Sequence, residues 1–590
     1  MPTARGSELL TARSTLLFAS GAILSTVLLL LLIVLVIAFQ DPLDSSIYTL
    51  KNFRLLYLEP FVYHTLLNTA GFTLVSTVTA LFFAVPIAWF AERTDLPGRS
   101  TIFPLMMAST ILPGLFGALG WLFMFHPRIG TINRWLVDAL PFFENAPINI
   151  LSIPGMWFIS GLSMSSLAFI MLAATFRAMD PALEESAQVH GLGFVHRFWK
   201  VTLPLMWPGI LAVAIYISTI GLASFDVPAI IGMANRIFTF STFVYIHANP
   251  EDGPPNFGIV GAASVLMILV ALILSWLYVR VIKQSHKYSV VTGKNYRPRI
   301  VELGRWWIVG WVFIAAKLLL GVVLPLLTLI WASLIPYFQP FSISALDLVS
   351  LENFYRIPWD RFWQAATNTA ILTLVVPTLL VLIGLVISWV VIRSGSKYAG
   401  LIDTAAFMPH AVPNLIFSVA LLVVALFWLP EFIPFYNTIY ILIASFVIAR
   451  ISFPTRVYNN ALLQIHKELD EAAYVSGLGT FRVLRHVLLP LLRPATVYAW
   501  IWMALLSYRE LTLAAFLSGR GDSTPAPADP GRGMAGGGHH RRGSLAAIVY
   551  FHDSAGGFIL LVWPAEFSGG RSLVRRKSAV TNSESMLERK

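Results

Sequence analysis

Apolar runs near or above the roughly 20 residues that a helix needs to cross a bilayer core recur along this chain. The first covers residues 16–39 and contains the uninterrupted stretch 27–37. Others follow at about 66–91, 102–125, 150–174, 207–225 and 259–282. A second set lies at about 306–333, 366–392, 401–429, 436–449 and 495–507, with a poorer candidate at 545–564. Charged residues make up only 12% of the 590, about half the share of a soluble domain. Most of the surface therefore does not face water. The expected fold is all-α, a polytopic membrane protein of about 11–12 transmembrane helices. The first run is too long for the apolar part of a signal peptide and lacks a small-x-small cleavage site, so it reads as a retained helix.

Lys and Arg in short loops mark the cytoplasmic side. Residues 280–305 carry Arg280, Lys283, Lys287, Lys294, Arg297, Arg299 and Arg305, which places this linker inside. Counting spans outward puts the N-terminus and the segments 92–100, 175–206 and 450–493 inside too, and 40–65, 226–258 and 334–365 outside. The net charge of +11 then belongs to retained loops, and no nucleic-acid partner is expected. The absence of cysteine excludes disulfides, thiolate metal sites and cysteine nucleophiles.

The two sets of spans match each other. At a shift of 300 residues Asn68-Thr69-Ala70 meets Asn368-Thr369-Ala370, and Thr73-Leu74-Val75 meets Thr373-Leu374-Val375. Trp89 then meets Trp389, Arg93 meets Arg393 and Pro113 meets Pro413. Apolar matches between membrane helices carry little weight, but these polar, aromatic and proline matches indicate a duplication. With six spans per half the copies run parallel, about an axis along the membrane normal, and a pathway is expected between them. The halves are expected at 1–285 and 306–518, joined by the basic linker 286–305.

A second matched pair sits in the long inside loops, 177–204 and 463–490. Glu185-Ser186-Ala187 is followed by three residues, Gly191, nine residues and Val201-Thr202-Leu203-Pro204. Glu471-Ala472-Ala473 is followed by three residues, Gly477, nine residues and Val487-Leu488-Leu489-Pro490. The spacing predicts a short helix with small residues on one face, which lets a partner approach closely. Gly191 and Gly477 leave the helix at least steric cost. Pro204 and Pro490 open the next membrane helix, where a missing N–H does no harm.

This pattern resembles the Glu-Ala-Ala signature of permeases of binding-protein-dependent ATP-binding-cassette importers, with Ser186 in place of one Ala and Val201 and Val487 in place of Ile. The resemblance covers about residues 15–518 and implies a fused permease of type I importer architecture in a bacterial cytoplasmic membrane. It implies docking of an ATPase through Glu185, Ala187, Gly191, Leu203 and Pro204, and again through Glu471, Ala472, Ala473, Gly477, Leu489 and Pro490. Its implied partners are two copies of the ATPase subunit, a periplasmic or lipid-anchored solute-binding protein, and the lipid bilayer. Within the family the texture is closest to the ferric-iron branch, beside thiamine, phosphonate and polyamine permeases, so ferric iron is the leading cargo.

The chain has no Gly-x4-Gly-Lys-[Ser/Thr] loop, so ATP is expected on the partner subunit and no cofactor on this chain. No catalytic or metal-ligating constellation is expected either. Asp226 and Glu510, the latter beside Arg509, follow Pro204 and Pro490 by 22 and 20 residues and are expected to line the pathway at its outer gate. The alternative is a twelve-span proton- or sodium-coupled carrier. Such a carrier needs ionisable groups in mid-membrane, of which the spans read as nearly free.

The segment 519–590 departs from this pattern. It is rich in Gly, Pro and Arg, and the candidate span 545–564 is interrupted by His552-Asp553 and Gly556-Gly557. An Asp at mid-helix costs about 2.5–3.5 kcal/mol on insertion. The halves part within a few residues near Arg520, which points to a shifted reading frame. A clean apolar span in another frame of the gene would support it, and its absence from both frames would make the tail genuine.

Overall fold

The computed structural model describes residues 2–41, 46–140, 142–143, 145–178, 182–250, 255–285, 301–428, 435–436 and 438–517. The linker stretch 286–300, the tail 519–590 and the expected span 545–564 lie outside the described residues. The described part is helical and contains no β-sheet.

The first half runs through α1 (Pro2–Phe39), α2 (Pro60–Arg93), α3 (Ile102–Ile111) and α4 (Gly114–Phe125). It continues with α5 (Ile153–Ala178), α6 (Ala182–Val189), α7 (Leu203–Ala223), α8 (Phe240–Ala248) and α9 (Phe257–Ser285). The second half begins with α10 (Trp307–Leu318), α11 (Leu324–Leu334), α12 (Trp359–Ile392), α13 (Ala399–Ala411) and α14 (Asn414–Val423). After these come α15 (Ile439–Arg450), α16 (Ser452–Gln464), α17 (Lys467–Val475), α18 (Leu489–Tyr508) and α19 (Thr512–Leu517). Among the described residues eight helices are long and apolar enough to cross a bilayer, and four bent pairs raise the number to as many as twelve. The duplication is visible in the elements, since α2 and α12 are both 34 residues long.

Three expected spans differ from the structure. The runs 102–125 and 401–429 are not single rods but are bent by 83° and 95°. The breaks fall at Pro113 and Pro413, and the preceding Leu112 and Val412 are extended, as the clash with a following proline ring favours. The third expected span, 436–449, does not give way to a loop. The chain stays helical to Gln464 across a 45° bend at Arg450, so part of the expected inside loop 450–493 is helix. Arg450 ended the apolar run in the sequence, but here it is paired with Glu510 and its burial is tolerated.

The halves exchange their first spans. Residues 301–311 clamp onto the loop after α2, with Val301 N–H on the Arg93 carbonyl (2.8 Å), Leu303 N–H on Asp95 Oδ1 (2.8 Å) and Trp311 Nε1–H on the Pro97 carbonyl (2.8 Å). The span α10–α11 packs on α2, α4 and α5 of the first half, and Ile314 joins the core built around Phe72, Trp89 and Phe169. Helix α1 packs on α9 and on α12, α13 and α14, where Leu24, Val27 and Ile33 share a core with Val376, Leu380 and Phe417. The far side of α1 exposes Leu28, Leu29, Leu32 and Leu35, the face that lipid would cover.

Candidate functional site

Two knobs project from the bundle, α6 and α17, in the same repeat position. Each ends in a glycine in the left-handed region, Gly191 at φ +79° and Gly477 at φ +85°. Leu192 N–H donates to the Ala187 carbonyl and Leu478 N–H to the Ala473 carbonyl, both at 3.1 Å. These bonds close a Schellman turn in each copy, the task the sequence assigned to the glycines. Leu203 is half-buried, and Pro204, Leu489 and Pro490 are exposed, all at the opening of α7 and α18 beside the knobs. Five-residue π-turns, Phe198–Thr202 and Leu484–Leu488, lead into these helices and were not foreseen.

The expected face of small residues is divided. Ala187 and Ala473 are buried against their own half, whereas Ser186, Glu471 and Ala472 are exposed. The Glu185 side chain lies outside the described residues. The most exposed apolar residues of the knobs among those described are Val189 and Val475, 85% and 88% exposed at matching positions. Sequence reasoning passed over them because a lone valine carries no signal.

It also passed over the acid one place before each motif. Arg93, at the end of α2, pairs with Glu184 of α6, and Thr202 Oγ1 donates to Glu184 Oε1 at 2.5 Å. In the other half Arg393 Nε lies 3.0 Å from Asp470 Oδ2, and Arg393 Nη2 donates to the carbonyls of Leu462 (3.1 Å) and Ile465 (2.7 Å). Burial pushes the Asp470 carboxyl above its usual range, Arg393 opposes this and Glu471 adds to it. Desolvation outweighs attraction, so the pair fixes position more than it stabilises.

The second cluster surrounds the break between α3 and α4, and it brings together Asp226, Arg509 and Glu510. Arg509 Nη1 donates to the Thr110 carbonyl at 2.8 Å, across the boundary between the halves. Asp226 packs so closely on Gly114 that a Cβ there would lie 3.1 Å from Asp226 Oδ2. A cation thus sits at the C-terminus of α3 and a carboxylate at the N-terminus of α4, each where the helix dipole favours it. Glu510 pairs with Arg450, the member the sequence did not reveal, and its Oε1 accepts from Leu513 N–H at 3.3 Å. Phe225 and Tyr245 of the first half meet Phe516 beside this cluster, with ring centroids 5.7 and 5.2 Å away.

The expectation of spans almost free of ionisable groups needs correction as well. Lys317, in the span α10–α11, is buried and donates to Ser109 Oγ (2.7 Å) and Ser166 Oγ (2.5 Å). It lines a cavity of about 20 Å³ with Ser109, Pro113, Gly114 and Ser166, room for about one water. Two serines that look unremarkable in an apolar sequence are what satisfy it. Among the described residues no group of three or more His, Asp or Glu is placed to hold a metal ion.

The site therefore consists of two matched knobs on one side and a broken helix whose ends are held by charges from both halves. The family model described as the binding-protein-dependent transport system inner membrane component matches residues 61–285 and 381–529, which include both knobs. The chain belongs to that family. It is thus a multi-pass permease of an ATP-binding-cassette importer in the inner membrane, a transport component rather than a catalyst. Among relatives, the ferric transport system permease protein FbpB of Actinobacillus pleuropneumoniae is 22% identical over 498 residues, 82% of this chain and 69% of that one. The Fe(3+)-transport system permease protein FbpB 2 of Haemophilus influenzae is 21% identical over 470 residues, 78% of this chain and 83% of that one. The sulfoquinovosyl glycerol transport system permease protein SmoG of Agrobacterium fabrum is 26% identical over 257 residues, 42% of this chain and 80% of that one. Permeases of this family work in general with an ATPase and a binding protein.

Proposed function

We propose that this chain forms the whole membrane pathway of its importer, with its N-terminus in the cytoplasm and each knob docking one copy of a separate ATPase subunit that binds the ATP. The observation that carries this reading is the pair of knobs, alike in spacing, in their Schellman turns and in the outward valines at 189 and 475. A binding protein, periplasmic or lipid-anchored, delivers the cargo to the opposite face. The cargo proposed is ferric iron, on the names of the relatives that align over both halves. The cluster of Asp226, Arg509 and Glu510 lines the gate, because it ties the two halves at a helix break that can open.

The complex in liposomes is expected to contain two ATPase copies per chain and to take up binding-protein-delivered ferric iron only with ATP inside the partner's compartment. A complex mass with one ATPase copy would count against the docking reading. Uptake of another solute but not iron would reject the cargo alone. Lys317 is one observation that favours an ion-coupled carrier instead. Uptake driven by a proton or sodium gradient without ATP would decide for that reading.

A further inference from the structure

We infer that the buried pairs Arg93–Glu184 and Arg393–Asp470 are the links through which the knobs move the membrane core, and that all four are positioning residues for transport. The inference rests on the docking reading above and adds to it where the force goes.

The same pairing occurs in both halves although the chain between its members differs in length. Arg93 is 0% exposed, Glu184 5% and Asp470 6%, so water does not compete for either contact. A knob resting on Ala187 or Ala473 alone could slide, because apolar contact has no direction. A guanidinium–carboxylate contact has direction and register. Buried pairs of this kind are poor stabilisers and are well attested as devices that fix register.

Each link also reaches a second span. Glu184 accepts from Thr202, which leads into α7, and Arg393 holds the carbonyls of Leu462 and Ile465 at the end of α16. One knob therefore grips α2 and α7, and the other grips the end of α12, which in turn holds the end of α16. Helices α2 and α12, each 34 residues, are rods about 50 Å long. Their far ends carry Tyr63 and Trp363 at matching positions, both exposed. A shift of a knob is thus delivered to the opposite face of the bundle.

The chain has no cysteine, so introduced spin labels are unambiguous on it. One label pair, His190→Cys with Ser476→Cys, exposed at the ends of the knobs, reports on the knobs, and another, Tyr63→Cys with Trp363→Cys, reports on the far ends. In the intact complex with its ATPase, both distances are expected to change between the nucleotide-free and vanadate-trapped states. In Glu184→Gln with Asp470→Asn, the 190–476 change should persist while the 63–363 change falls below half. Solute carried per ATP should fall roughly tenfold, within the range of a coupling between sites. Asp470→Glu keeps the charge and should retain both changes.

Wild-type distance changes and unchanged uptake per ATP in the Gln/Asn variant would overturn the link while leaving docking intact. A 190–476 distance that ignores nucleotide in the unmodified complex would overturn docking and the link together. Should the double variant fail to accumulate, Arg393→Lys puts the same question to the second half. An ammonium has three donors but presents them from a single atom, so it cannot stand at both the Nε and the Nη2 positions of Arg393.

Discussion

At Gly191 the space around the missing Cβ is open, so the only cost of a side chain there is its left-handed backbone. For a non-glycine residue that cost is about 1–2 kcal/mol, enough to re-aim a short helix but not to unfold the membrane domain. Gly191→Val and Gly477→Val are therefore expected to insert normally and to lower uptake per ATP roughly fivefold or more. Paired transport and hydrolysis rates check this, and wild-type coupling in both variants would count against it. The two carboxylates at the proposed gate separate in a similar way. Neutralising Asp226 as Asn takes one of two carboxylates from buried Arg509, whereas Glu510→Gln leaves Arg450 buried without its counter-charge, a loss of about 3–5 kcal/mol. Both should reduce uptake with the ATPase still bound, and Glu510→Gln should lower the thermal midpoint of the purified complex by more. Unchanged transport in the double variant would remove both from the pathway.

The elements show which features a sequence can carry. Spans and knobs were legible because apolar length and glycine placement are local properties, and the αL turns at 191 and 477 followed from them. The breaks at Pro113 and Pro413 were not, since the apolar window runs straight through them. Proline does not decide the matter either, because Pro86, Pro208 and Pro377 lie inside unbroken helices. What distinguishes Pro113 is tertiary: Arg509 holds the carbonyl on one side and Asp226 presses on Gly114 on the other. The acids Glu184 and Asp470 were hidden for the same reason, as their partners are distant in sequence. If contacts across the halves maintain the break, Pro113→Ala should keep uptake within about threefold of wild type, since one restored N–H is worth only about 1 kcal/mol. Arg509→Gln should lose much more. The reverse order in a transport assay would place the cause in the proline.

For the whole molecule, the shift of 300 residues reveals a duplication but not which neighbour each span chooses. The exchange of first spans depends on that choice. Span α10–α11 belongs to the second half by sequence and to the first by packing, and it brings Lys317 with it. Without the first half, Lys317 loses Ser109 and Ser166, both hydroxyls that accept its hydrogen bonds. An unsatisfied ammonium at the centre of a membrane helix costs about 2.5–3.5 kcal/mol on insertion scales. In lipid no hydrophobic drive between helices offsets it, because association there depends on fit and polar contacts. The first half alone loses the clamp of residues 301–311 on its 93–97 loop and the Arg509 beside Asp226, whereas the second half loses the packing of a whole span as well as the partners of Lys317. Residues 1–285 and 301–590 produced as two polypeptides should therefore co-purify through a tag on either one. Produced singly, residues 301–590 should be degraded faster than residues 1–285, as a chase of newly made protein in membranes would record. If residues 301–590 alone persist as long as they do beside the first half, the exchange does not hold the two halves together, and each folds by itself.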